Sequence, residues 1–143
     1  MKEFEECVRK NKLVRFSRGN NIAEKKLDEA AEDIKEAAEG VEKGKYKWAT
    51  VQAYYAMFAA GNALLMKKGW REKGSHFCLV AGLKKLYVEE KEIDILYLEA
   101  IQKGKVLRES ANYQNEWSED ECRMLVSKAQ DFVNLTEKIL GEK

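Results

Sequence analysis

The chain contains no proline, and its apolar residues recur at intervals of three and four rather than two. Proline removes a backbone donor and clashes with the preceding helical turn, so a chain without it can run through long uninterrupted helices. No stretch alternates polar and apolar residues as a half-buried strand would. Both features predict an all-α fold.

Over 22–42, Leu27, Ala31, Ile34, Ala38 and Val41 form one stripe, with acids and lysines on the opposite face. Gly40 and Gly44 suit its end. The next helix, about 45–68, carries two adjacent apolar stripes: Trp48, Val51, Tyr55, Phe58, Asn62 and Leu65, then Tyr54, Met57, Gly61 and Leu64. A face that broad marks the central helix, contacted from several directions. Gly69 stops it, and Ser75 is placed to cap a helix from 76 to about 88. A further helix is predicted over about 91–113, with Gly104 as a candidate break. Ser118 and Glu121 have capping-box spacing and open a last helix, with Leu125, Ala129, Phe132, Thr136 and Ile139 inward. Short connections between such helices imply an antiparallel up-and-down bundle of four to five helices.

The 143 residues suffice for one core and are too few for two, so a single domain is expected, with a core over 22–140 and an N-terminal extension over 1–21. No run of apolar residues is long enough for a membrane span, and the amino terminus, MKEFEECVRK, is charged where a secretory leader is apolar. A cytoplasmic location without membrane contact is expected. Cys7, Cys78 and Cys122 are far apart and odd in number, which predicts free thiols rather than a disulfide framework or metal site. The formal net charge of +1 exerts no global pull on nucleic acid. Locally, however, 9–18 holds five bases and no acid, and 63–88 holds six bases against Glu72 alone. Those two stretches can converge on one surface, whereas 24–42 and 89–99 are acidic.

The run YKWATVQAYYAMFAAGNALLMKKGWREKGSHFCLVAGL (46–83), followed by LRESANY (107–113), resembles the HEPN family of small helical domains over about 22–135. The resemblance implies a four- or five-helix bundle, commonly a homodimer, and a nucleotidyltransferase partner in a toxin–antitoxin pair. It also implies, in many members, metal-independent RNA cleavage by an arginine followed after four to six residues by a histidine. Arg71, four residues, then the sole histidine His76 satisfies that spacing, but in ribonuclease branches the motif lies on a late helix. The equivalent place here is Arg108 to Tyr113, where tyrosine replaces histidine. The histidine that often follows the AYYAMF phenylalanine in relatives is Ala59 here.

Two functions follow as expectations. The first is a HEPN-like subunit that dimerises, binds a nucleotidyltransferase and contacts nucleotide or RNA. The alternative is an RNA-cleaving toxin. Cleavage needs a base for the 2′-hydroxyl, an acid for the leaving 5′-oxygen and a cation for the phosphorane. His76 is the side chain that titrates near neutrality, and Arg71 or Arg108 can grip phosphate through a planar fork. Tyrosine, with an ordinary pKa near about 10, is a poor base, so Tyr113 and Asn112 are positioning donors. Lys67, Lys68 and Lys73 are the candidate nucleotide- or RNA-binding lysines. No cofactor or metal is expected. Tyr54, Tyr55, Trp48 and Phe58 read as core or dimer-interface residues.

Overall fold

The computed structural model describes residues 2–17 and 19–141; residues 1, 18, 142 and 143 lie outside the described set, and with them Arg18 of the first basic stretch. Six α-helices and two short strands follow in the order α1 (Lys2–Arg9), β1 (Leu13–Arg15), α2 (Gly19–Glu42), α3 (Tyr46–Lys67), β2 (Trp70–Glu72), α4 (His76–Leu83), α5 (Ile95–Tyr113) and α6 (Glu119–Gly141). The architecture is all-α, as the periodicity predicts.

The central helix is α3, which packs against α2, α4, α5 and α6. It can do so because alanines and Gly61 keep its surface low: a Cβ added at Gly61 would lie 3.1 Å from Leu83 and 3.2 Å from Leu79. Of its two predicted stripes, Tyr54, Met57, Gly61 and Leu64 are buried throughout, whereas the other is dry only from Asn62 onward and at Val51. Trp48 and Tyr55 are 55% and 44% exposed, so their rings are available to something other than the core. In α6 all five predicted inward residues are buried. In α2 the buried face is turned by one residue from expectation: Ala30, Ile34 and Ala37 face inward, while Ala38 is exposed. Alanines occupy 30, 31, 37 and 38 alike, so the apolar pattern alone does not choose between these neighbouring faces.

Four expectations are corrected. Strands are present: Leu13 pairs with Glu72, Val14 with Arg71 and Arg15 with Trp70 in an antiparallel ladder. Three residues per strand are too few to show alternation. The pairing joins the two basic stretches, with the Arg15 guanidinium 4.5 Å above the Trp70 ring and that of Arg71 5.9 Å from Phe16. Second, Cys7 and Cys78 form a disulfide that ties α1 to α4, their Cα atoms 5.7 Å apart; only Cys122 is the free, buried thiol predicted. Third, Gly104 does not break α5. It is buried beneath α3, where a Cβ would lie 2.8 Å from Met57 Cε and 3.2 Å from Tyr54 Cδ1, so glycine permits the close approach of the two helices. Fourth, α4 loosens after Leu83 into one π-helical stretch, Lys84–Val88. There the Tyr87 hydroxyl donates to the Leu64 carbonyl at 2.6 Å.

Candidate functional site

The loop leading to His76 is built by Glu72. Its carboxylate, 8% exposed at the end of β2, accepts hydrogen bonds from the Gly74 and Ser75 backbone at 2.6 and 2.9 Å. Gly74 takes a φ of +76°, which a side chain would resist, and reverses the chain. Ser75 then caps α4 by accepting from Cys78 N at 3.1 Å, as its position predicts. His76 is thereby fixed as the first residue of α4, half-buried and turned toward α3 and α5.

There the hydroxyl of Tyr54 lies 2.7 Å from His76 Nδ1, and the two rings stack with centroids 5.8 Å apart. A buried phenol must find a polar partner, and the lone imidazole supplies it. The bond admits two arrangements: the phenol donating to a bare Nδ1, or Nδ1–H donating to the phenol oxygen and leaving Nε2 bare. Burial pushes the Tyr54 pKa up to about 12 despite the nearby Arg108 charge, so the phenol keeps its proton at any working pH. Burial, helped by Lys105 and Arg108 and opposed by Glu109, holds His76 below the ordinary histidine value of 6.5. The imidazole is therefore neutral at pH 7, the state a proton acceptor requires. It also lines a cavity of about 250 Å³ between α1, α4 and α5, with Lys84 and Lys105 on its wall.

Arg108 completes the group from α5. Its guanidinium carbon lies 5.2 Å from the Tyr54 ring, 6.0 Å from Tyr55 and 5.9 Å from Tyr113. The side chain is 16% exposed; its acidic contact is Glu109 at 3.9 Å, and its Nε is buried without a hydrogen-bond acceptor among the described residues. Burial works against the charge, but a hydrogen bond with Tyr113 and the neighbouring phenols leave its pKa above the ordinary value. A fixed cation with donors to spare thus shares Tyr54 with the imidazole.

His76, Arg108 and Tyr113 are therefore brought together; Asn112, one turn beyond Arg108, is half-buried on the same helix. Arg71 is placed elsewhere, exposed on β2 rather than in a loop, against Phe16. Lys73 is exposed beside it, its backbone N–H donating to the Lys12 carbonyl at 3.0 Å. Lys67 and Lys68 serve the fold: Lys67 donates to the Ile139 carbonyl near the end of α6, and Lys68 to the Leu86 carbonyl at 2.6 Å and Glu92 at 2.8 Å. Sequence reasoning missed Tyr54, Tyr55, Lys105 and Glu109 as members of the group. For Tyr54 the available signal was its hydroxyl, a polar atom on an otherwise oily stripe.

The model of the HEPN domain matches residues 23–139. A protein of Methanocaldococcus jannaschii named "Putative toxin MJ0605" is 32% identical over 118 residues, covering 81% of this chain and 87% of that protein. A match across most of the length, on a helical bundle with the predicted central helix, assigns the chain: it belongs to the HEPN domain family.

Proposed function

We propose that this protein is the HEPN subunit of a toxin–antitoxin-type pair, acting as a homodimer with a nucleotidyltransferase partner and gripping a phosphate of nucleotide or RNA on Arg108. The observation that carries this reading is the state of Arg108: largely buried, walled by three phenols, with an Nε that lacks an acceptor among the described residues. Burying a cation is costly unless an anion offsets it, and a guanidinium fork matches phosphate oxygens two at a time. The toxin name of the relative supports the setting. Phe77 and Tyr113, 61% and 75% exposed on α4 and α5, offer an apolar rim for the second copy. The test is fluorescence anisotropy of labelled single-stranded RNA in chelator. Arg108→Ala should weaken binding roughly ten- to hundredfold, the equivalent of about 1.5–3 kcal/mol for hydrogen bonds to a charged group. Absence of RNA binding by the unaltered protein, or equal binding by the variant, would overturn the reading.

A second reading, metal-independent RNA cleavage, is favoured by the neutral His76 beside Arg108. With Nδ1–H donating to Tyr54, Nε2 takes the proton of the 2′-hydroxyl as the 2′-oxygen attacks phosphorus. The P–O5′ bond then breaks, a solvent proton passes to the 5′-oxygen, and a 2′,3′-cyclic phosphate remains; Arg108 stabilises the charge of the phosphorane. Cleavage in chelator that His76→Ala abolishes supports it. Equal cleavage by both proteins assigns the activity elsewhere.

A further inference from the structure

A cavity of about 640 Å³ lies between α2, α3 and β2, apart from His76. Its size is that of sites that enclose small organic molecules. Phe16, Tyr55 and Phe58 give it aromatic walls, and Ala59, a small residue 8% exposed, also lines it. Three carboxylates line it, of which Glu29 pairs with Lys26 at 3.2 Å and Glu72 accepts from the Gly74 and Ser75 backbone. Asp33 has no hydrogen bond or ion pair among the described residues, and burial together with Glu29, Glu36 and Glu32 pushes its carboxyl pKa up. Asn62 donates through Nδ2 to the Phe58 carbonyl at 3.2 Å, which leaves Oδ1 to accept. Arg71 adds a cation to the lining.

Aromatic faces and a carboxylate lining one cavity suit a flat, donor-bearing ring. Tyr55 joins the cavity to the phosphate site, because the same ring lies 6.0 Å from the Arg108 guanidinium carbon. We infer that this cavity is a base-accepting subsite for a nucleotide of the bound strand, taking a nucleobase whose Watson–Crick edge donates hydrogen bonds, guanine before the others. Guanine presents N1–H and the 2-amino group side by side, the pair that one carboxylate can accept, whereas uracil offers a single donor. Phe16, Tyr55 and Phe58 provide the stacking surfaces, which recognise any base, and Asp33 with Asn62 provides the choice among bases. The inference rests on the reading that Arg108 holds the phosphate of an RNA, and the two can fail separately.

The experiment is calorimetric titration of the full chain with guanosine and uridine 5′-monophosphates, beside anisotropy with an oligouridine strand. The unaltered protein should prefer the guanosine nucleotide by about tenfold or more, within the range that stacking and paired donors supply. Ala59→Leu, which adds bulk to the lining, and Asp33→Asn, which removes the charged acceptor, should each abolish that preference while oligouridine binding persists. Should Ala59→Leu fail to fold by circular dichroism, Asp33→Asn carries the test alone, since it deletes no bond of the fold. Equal affinity for the two nucleotides, binding of neither, or a preference that survives Asp33→Asn would overturn the subsite. Oligouridine binding that ignores Arg108→Ala would instead overturn the phosphate reading and leave a guanosine preference standing.

Discussion

The Tyr54 hydroxyl and His76 Nδ1, 22 positions apart in sequence, meet at 2.7 Å across the junction of α3 and α4. Each group satisfies the other's polar atom, a need that aliphatic side chains filling the same space would not create. Tyr54→Phe removes one side of the bond and leaves a half-buried imidazole nitrogen without its partner. The expected cost is about 1–3 kcal/mol in urea unfolding, and the RNA binding proposed for Arg108 should persist because the phenyl ring still packs beside it.

His76 is the sole histidine, so its ring Cε1–H gives one assignable proton resonance. That resonance should titrate below 6.5. Lys105→Ala, which removes a cation opposing the imidazolium, should move the midpoint back toward 6.5.

The same depression sets a pH dependence of stability. The folded pKa lies below the unfolded one, so on acidification the unfolded chain takes its proton first. The stabilisation is thus present above the unfolded value and lost as pH falls through the folded one. Asp33 acts in the opposite sense: its raised carboxyl stabilises when protonated, an effect lost as pH rises through its folded value, nearer the carboxylate range. In the window just below 6.5 the histidine should therefore dominate. Urea midpoints should fall with pH there, and His76→Gln should flatten the slope.

Reduction of the Cys7–Cys78 bridge opens a link between residues separated by 71 positions. Constraint of the unfolded chain predicts a loss of roughly 2–4 kcal/mol. Thermal melts with and without dithiothreitol, compared with a Cys7→Ser/Cys78→Ser double variant, check it. The variant should melt low under both conditions.

At Gly104 the space is already filled by Met57 and Tyr54. Gly104→Val should cost about 1–3 kcal/mol through overpacking, and because one of the displaced groups is Tyr54, the His76 resonance should shift with it.

Much of the bundle was legible because its signals are local. The Ser75 cap, the Ser118–Glu121 pair, with Glu121 N donating to Ser118 Oγ at 3.1 Å, and the inward stripe of α6 each follow from spacing within a few residues. What escaped depends on contacts between distant segments. Nothing near Cys7 specifies Cys78, and the β1–β2 ladder joins two three-residue runs more than fifty positions apart. Gly104 reads as a helix breaker when taken alone and becomes a packing device only when α3 is laid over it. Among the candidate site residues, His76 stood out by being unique, and Arg108 by its place in the LRESANY string. The partners of the lysines were not legible: in the folded chain Lys67 and Lys68 donate to carbonyls and to Glu92.

The family match begins at residue 23, yet the cystine partner of Cys78 lies at residue 7, and Leu13 fits within 3.5 Å of where a Cβ on Gly82 would stand. A chain trimmed to the recognised boundaries would bare an orphan thiol two residues beyond the imidazole and leave a hole against α4. For this molecule the limits of the family match and the limits of the packed core fall in different places, and recombinant designs should respect the second.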